Sequence, residues 1–117
     1  SPAPARPDLL PCATEKDAFP LDPSAAYTQV FACDDELEDN LSELDKGELF
    51  AVEIRSIKDV AAFSDAQYAI RNPLCILCDD AVLLEKTLRA YQGRPLYEGS
   101  LSDAELLPLA EKYGLII

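Results

Sequence analysis

Two turns of identical composition hold most of the side chains able to do chemistry. Cys33-Asp34-Asp35 and Cys78-Asp79-Asp80 each join one thiol to two carboxylates. Carboxylates suit hard cations such as magnesium, and thiolates suit zinc. Glu98 with Ser100, and Glu53 with Arg55, add two further polar stretches. Paired carboxylates can do acid–base work when they lie within reach of one another, which sequence alone does not fix. Cys33, Asp34, Asp35, Cys78, Asp79, Asp80, Glu98 and Ser100 are therefore candidate ligand-binding residues. No catalytic residue and no metal ligand is assigned. The chain has no histidine, the commonest general base and metal ligand. Cys75 and Cys78 spell Cys-x-x-Cys, but residues three apart on a strand point to opposite faces and cannot easily share a disulfide or a metal.

The same residues also have plain structural roles. Aspartate caps helices and favours their positive ends, and cysteine is a small residue often found in cores. Tyr91, Tyr97 and Tyr113 read as helix and strand residues with an apolar body and a wet hydroxyl.

The elements that must position these groups follow from local signals. Tyr27 to Cys33 is β-branched and aromatic enough for a strand. Asp34 and Asp35 then cap a helix carrying Leu37, Leu41 and Leu44 at helical spacing, with Gly47 at its end. Leu49 to Ile54 is a second strand. Ser56 with Asp59 opens a second helix, a looser capping box, which Asn72-Pro73 stops. Leu74 to Cys78 is almost continuously apolar, as a strand buried on both faces should be. Asp79 and Asp80 start the third helix, carrying Leu84, Leu88 and Tyr91, and Gly93 terminates it. Pro95 to Glu98 is a short fourth strand. Ser102 with Glu105 forms a full capping box for a fourth helix that Gly114 closes, and Leu115 to Ile117 is the last strand.

Strands alternating with helices imply a parallel sheet with right-handed crossovers. The fold class is α/β, a (βα)4β three-layer sandwich with a parallel five-stranded sheet, flavodoxin-like in layout. The alternative is half of a β/α barrel, since five strands do not close an eight-stranded one. Ligand sites in open α/β sheets lie at the carboxyl ends of strands. If the first and third strands are neighbours, both Cys-Asp-Asp turns gather there.

Residues 1–26 read as a proline-rich interdomain linker and irregular lead-in, with Pro2, Pro4, Pro7 and Pro11 disfavouring regular structure. Phe19 and Leu21 are expected to pin it to the body. The α/β domain spans 27–117. A chain opening Ser1-Pro2-Ala3 without methionine reads as the interior of a longer polypeptide.

Composition narrows the function classes. With 49% hydrophobic residues over 117, one domain can bury a core. The net charge of −12 would repel nucleic acid and anionic membrane. No apolar run approaches the ~20 residues of a bilayer span. The four cysteines are too few for a disulfide scaffold of this length, so the thiols are expected to be reduced and the chain cytoplasmic. No Gly-x-Gly-x-x-Gly or Walker sequence follows a strand.

Three stretches carry a family resemblance. They are Asn72 to Ala81 (NPLCILCDDA), Leu84 to Leu96 (LEKTLRAYQGRPL) and Leu106 to Gly114 (LLPLAEKYG). Together they resemble the methyltransferase barrels of cobalamin-dependent methionine synthase, with a strand ending in aspartate and a helix ending in Tyr-Gly. Ala13 to Asp22 is similar to a connection that follows the homocysteine-binding module in some members. The resemblance implies a non-catalytic accessory domain of a 5-methyltetrahydrofolate–homocysteine methyltransferase, partnered by other modules of the same polypeptide. Cobalamin and zinc would then belong to the parent enzyme and not to this domain. Members of the family bind zinc through cysteines that include an adjacent pair, and no two cysteines are adjacent here. The other reading of the residues is an independent regulatory or ligand-binding domain with a cation site at the strand ends. A small hydrolase using those carboxylates is a third reading, opposed by the lack of histidine.

Overall fold

The computed structural model describes the backbone of residues 11–13 and 18–20, and all of residues 26–117. The expected extended linker over residues 1–10 and the anchoring side chains of Phe19 and Leu21 lie outside the described residues. Within the lead-in, β1 (Pro11–Ala13) pairs antiparallel with β2 (Ala18–Pro20), where irregular chain was expected. Pro11 and Pro20 oppose each other at one end of that ladder, where a missing N–H costs least.

The body alternates β3 (Gln29–Ala32), α1 (Leu37–Ser42), β4 (Phe50–Glu53), α2 (Ile57–Ala66), β5 (Leu74–Leu77), α3 (Ala81–Ala90), β6 (Leu96–Glu98) and α4 (Asp103–Tyr113). A short 3-10 turn, Gln67–Ala69, extends α2. The expected α/β class with a parallel sheet is the one found, with four strands and four α-helices.

The side-chain caps read from sequence are in place for α2, α3 and α4. They are not for α1, whose N-cap is Glu36 with no side-chain bond, so Asp34 and Asp35 do not cap it. Ser56 accepts from the Asp59 amide while Asp59 takes the amide of Ser56 in return, so this box is complete rather than loose. Ser102 and Glu105 do the same for α4. Gly114 stands at φ +77° beyond α4, a conformation open to glycine at little cost. Gly47, at φ +79°, serves a different end from the one expected. The first helix stops at Ser42, and Gly47 forms a separate turn closed by Glu48 N–H to the Asp45 carbonyl at 3.0 Å. Buried Asn72 clamps that loop by donating to the carbonyls of Asp45 (2.6 Å) and Glu48 (3.0 Å).

Two expectations of the sheet are corrected. The order is β3-β4-β5-β6, so each strand lies beside the next one in the chain and the first and third strands are not neighbours. Four strands, not five, make the described sheet. Leu115 to Ile117 contributes only a parallel bridge between Ile116 and Leu96. It is held by Tyr97 N–H to Ile116 O (3.1 Å) and Ile116 N–H to Pro95 O (2.9 Å). Pro95 accepts there but has no N–H to extend the ladder.

Register fixes which side chains share a face. Phe31, Val52, Ile76 and Tyr97 stand abreast, and Ala32, Glu53, Leu77 and Glu98 form the next row, on the opposite face. All four α-helices feed one core cluster, through Leu37 and Leu41, Val60 and Phe63, Leu84 and Leu88, and Leu106 and Leu109. From β4, β5 and their ends that cluster takes Phe50, Val52, Ile54, Leu74, Ile76 and Cys78, which share one face. Leu49, Ala51, Cys75 and Ile116 are buried outside it. Among the described residues there is therefore one helical layer, not the two of a three-layer sandwich. The reason is the strand order: crossovers of one hand that always step the same way deposit every helix on the same side. That order is also the one found along the wall of a β/α barrel.

Candidate functional site

The carboxyl ends of β4, β5 and β6 enclose a groove of about 450 Å³, lined by residues 53–55, 77–80, 83 and 98–99. Parallel strands deliver three consecutive strand-to-helix loops to one place, as the topology requires. Its aliphatic lining is Ile54, Leu77 and Leu83, and its charged lining is Glu53, Arg55, Asp79, Asp80 and Glu98.

Each of these carboxylates has a partner. Asp80 caps α3, accepting from the amides of Val82 (2.9 Å) and Leu83 (3.0 Å). Asp79 reaches across to the next loop, where its Oδ1 accepts from Ser100 N–H (2.9 Å) and Ser100 Oγ (3.0 Å). Glu53 pairs with Arg55 at 2.9 Å. Glu98 accepts from the Tyr27 hydroxyl at 3.3 Å. Burial first, and then the Glu98 charge, raises the Tyr27 pKa.

The loops after β5 and β6 are held together. Tyr97 donates its hydroxyl to the Cys78 carbonyl at 2.7 Å and accepts from Leu101 N–H at 3.1 Å. Its hydroxyl is thus a buttress between loops rather than the wet tip expected from sequence, and burial raises its pKa. Gly99 passes so close that a Cβ there would collide with both the Cys78 carbonyl oxygen and the Tyr97 hydroxyl. Gly99→Ala is expected to cost about 1–3 kcal/mol through overpacking, read as a lower urea midpoint. An unchanged midpoint would show that the loops are not locked as described.

Cys78, Asp79, Asp80, Glu98 and Ser100, from the sequence-derived candidates, come together here, all lining the groove but Ser100, which is tied to Asp79. Cys33, Asp34 and Asp35 do not line it, because β4 lies between β3 and β5. Asp34 instead closes its own turn, accepting from Glu36 N–H at 2.9 Å. Among the described residues no group of three or more cysteine, aspartate or glutamate side chains is arranged to hold a metal ion. Cys33 and Cys78 are buried free thiols, and Cys75 is buried as well. Cys78 joins the helix-side cluster and Cys75 does not, as strand alternation requires. Burial raises the pKa of Cys78 and pushes Cys33 up to about 12, so neither thiol is activated as a nucleophile at neutral pH. Tyr97 and Gly99 were not singled out for the site by sequence reasoning. Nothing local marks a tyrosine whose partner lies 19 residues away.

No helix among the described residues is long and apolar enough to cross a membrane. No family model matches the chain, and neither the curated proteins nor the solved structures contain a match.

Proposed function

We propose that the chain is a non-catalytic accessory module of a cobalamin-dependent 5-methyltetrahydrofolate–homocysteine methyltransferase, packing or positioning the catalytic modules of that polypeptide in the cytoplasm. The observation that carries the non-catalytic part is the employment of the strand-end carboxylates. Asp79, Asp80, Glu53 and Glu98 are each occupied in tying loops, capping a helix or pairing with a neighbour. The parent enzyme is suggested by the resemblance of residues 72–114, and sequential strand order agrees with the barrels of that family. Cobalamin and zinc chemistry is assigned to the other modules.

The isolated chain is expected to transfer no methyl group from methylcobalamin to homocysteine and to bind no stoichiometric zinc. Turnover, or one zinc per chain by elemental analysis, would overturn the proposal. The coding sequence upstream should encode a glycine-rich adjacent cysteine pair; a parent chain without one removes the methyltransferase assignment.

The groove itself favours a second reading, an independent regulatory or ligand-binding α/β domain. Calcium, magnesium and zinc titrations followed by melting temperature separate the two readings, because a ligand held only by the native state raises stability. A saturable rise supports the second reading, and a flat response the first.

A further inference from the structure

We infer that the groove over β4, β5 and β6 docks a basic segment tipped with an aliphatic side chain, contributed by a neighbouring module. This deepens the accessory reading and rests on it, adding the surface and the chemistry of the contact. Leu77 and Leu83, with the nearly covered Ile54, are the aliphatic lining offered to an aliphatic side chain. Exposed apolar side chains also stand where α2 and α3 begin, close in the chain to groove-lining residues. Ile57 is 57% exposed and Val82 64% exposed, in the first turns of those two helices. Scattered exposed apolar residues are ordinary, but each of these stands within two residues of a groove-lining one, Ile57 of Arg55 and Val82 of Asp80 and Leu83.

Charge selects the occupant. Four carboxylates line the groove against one cation, Arg55, which is itself paired with Glu53. A carboxylate offers about four lone-pair sites. Asp79 and Asp80 each accept two bonds through Oδ1 alone, and Glu53 and Glu98 one each through Oε2, so every one keeps an oxygen for a lysine or arginine. The helix ends that would attract an anion are taken by side chains of the chain itself. Ahead of α2, Asp59 accepts from the amides of Arg55 and Ser56 while Ser56 Oγ takes the Asp59 amide, and Asp80 holds the amides of Val82 and Leu83 that open α3. The whole chain carries −12, which steers a basic partner in and an acidic one away.

The test uses the whole chain and a fluorescent heptapeptide of alternating arginine and leucine, with anisotropy and backbone amide shifts as readouts. Binding is expected to move amides of residues 53–57, 77–83 and 98–101 together. Val82→Ser should weaken it about three- to tenfold by removing apolar contact. Glu98→Gln should weaken it about two- to fivefold, as a rim charge does. Both residues are exposed, and circular dichroism confirms that each variant folds. Glu111→Gln, in the last turn of α4, should change nothing. Replacing the peptide leucines with serine should abolish binding. The proposal is overturned if the serine peptide binds equally well, if Glu111→Gln weakens binding as much as Glu98→Gln, or if no binding occurs. None of these results bears on turnover or on the upstream coding sequence, so the accessory reading stands or falls separately.

Discussion

Phe63→Ala lowers the unfolding free energy by about 3–5 kcal/mol, seen as a fall in urea midpoint at nearly constant slope. Phe63 lies in the middle of α2 and is 0% exposed. Its ring meets Tyr91 edge-on, with centroids 5.8 Å apart and planes at 70°, a favoured aromatic arrangement. Truncation therefore removes the buried ring, leaves a cavity and strips Tyr91 of a partner. Small domains hold only about 5–15 kcal/mol in total, so the variant should sit close to its unfolding threshold. Ile57→Ala, one turn and a half earlier on the same helix, is the control. Its side chain is 57% exposed, and the cost should stay within about 0.5 kcal/mol. Equal losses at the two positions would contradict the assignment of the core face.

At neutral pH Cys33 is expected to react with an alkylating reagent about a hundred- to a thousandfold more slowly in the folded chain than in the unfolded one. Burial, aided by the charges of Asp59, Asp34 and Glu53, pushes its pKa from an ordinary 9.0 to about 12. Each unit removes about tenfold of the reactive thiolate. The same shift sets the sign of a pH effect. The unfolded thiol releases its proton near its ordinary pKa, while the folded one keeps it until about 12. The contribution to stability is whole below about 9 and is lost as pH rises toward 12. Peptide mapping by mass spectrometry separates Cys33 from the other cysteines. Fast alkylation in the native chain, or stability flat across that alkaline window, would sink the expectation.

What could be read from sequence was what is local. Ser56 with Asp59, Asp80 alone, Ser102 with Glu105, and Gly114 each act within a few residues, and each does what its type and spacing imply. The alternation of strands and helices followed from the same signals. Strand order did not, because nothing within residues 27–33 or 74–78 records which strand lies alongside. That one gap separated the two Cys-Asp-Asp turns and replaced a second helical layer by a single one. The same distance effect hid the groove. Glu53, Asp79, Asp80 and Glu98 were visible as polar strand ends, but Tyr97 and Gly99 acquire their roles only when the loops after β5 and β6 meet.

The sequential order of the strands has a kinetic consequence. Every β-strand contact in the main sheet closes a loop of one strand-helix unit, so no pairing must wait for distant segments to find each other. Assembly can proceed by accretion, each unit docking on the edge left by the last, much as repeats do in a solenoid. Damage to one unit should then slow the addition of its neighbours while leaving earlier growth intact.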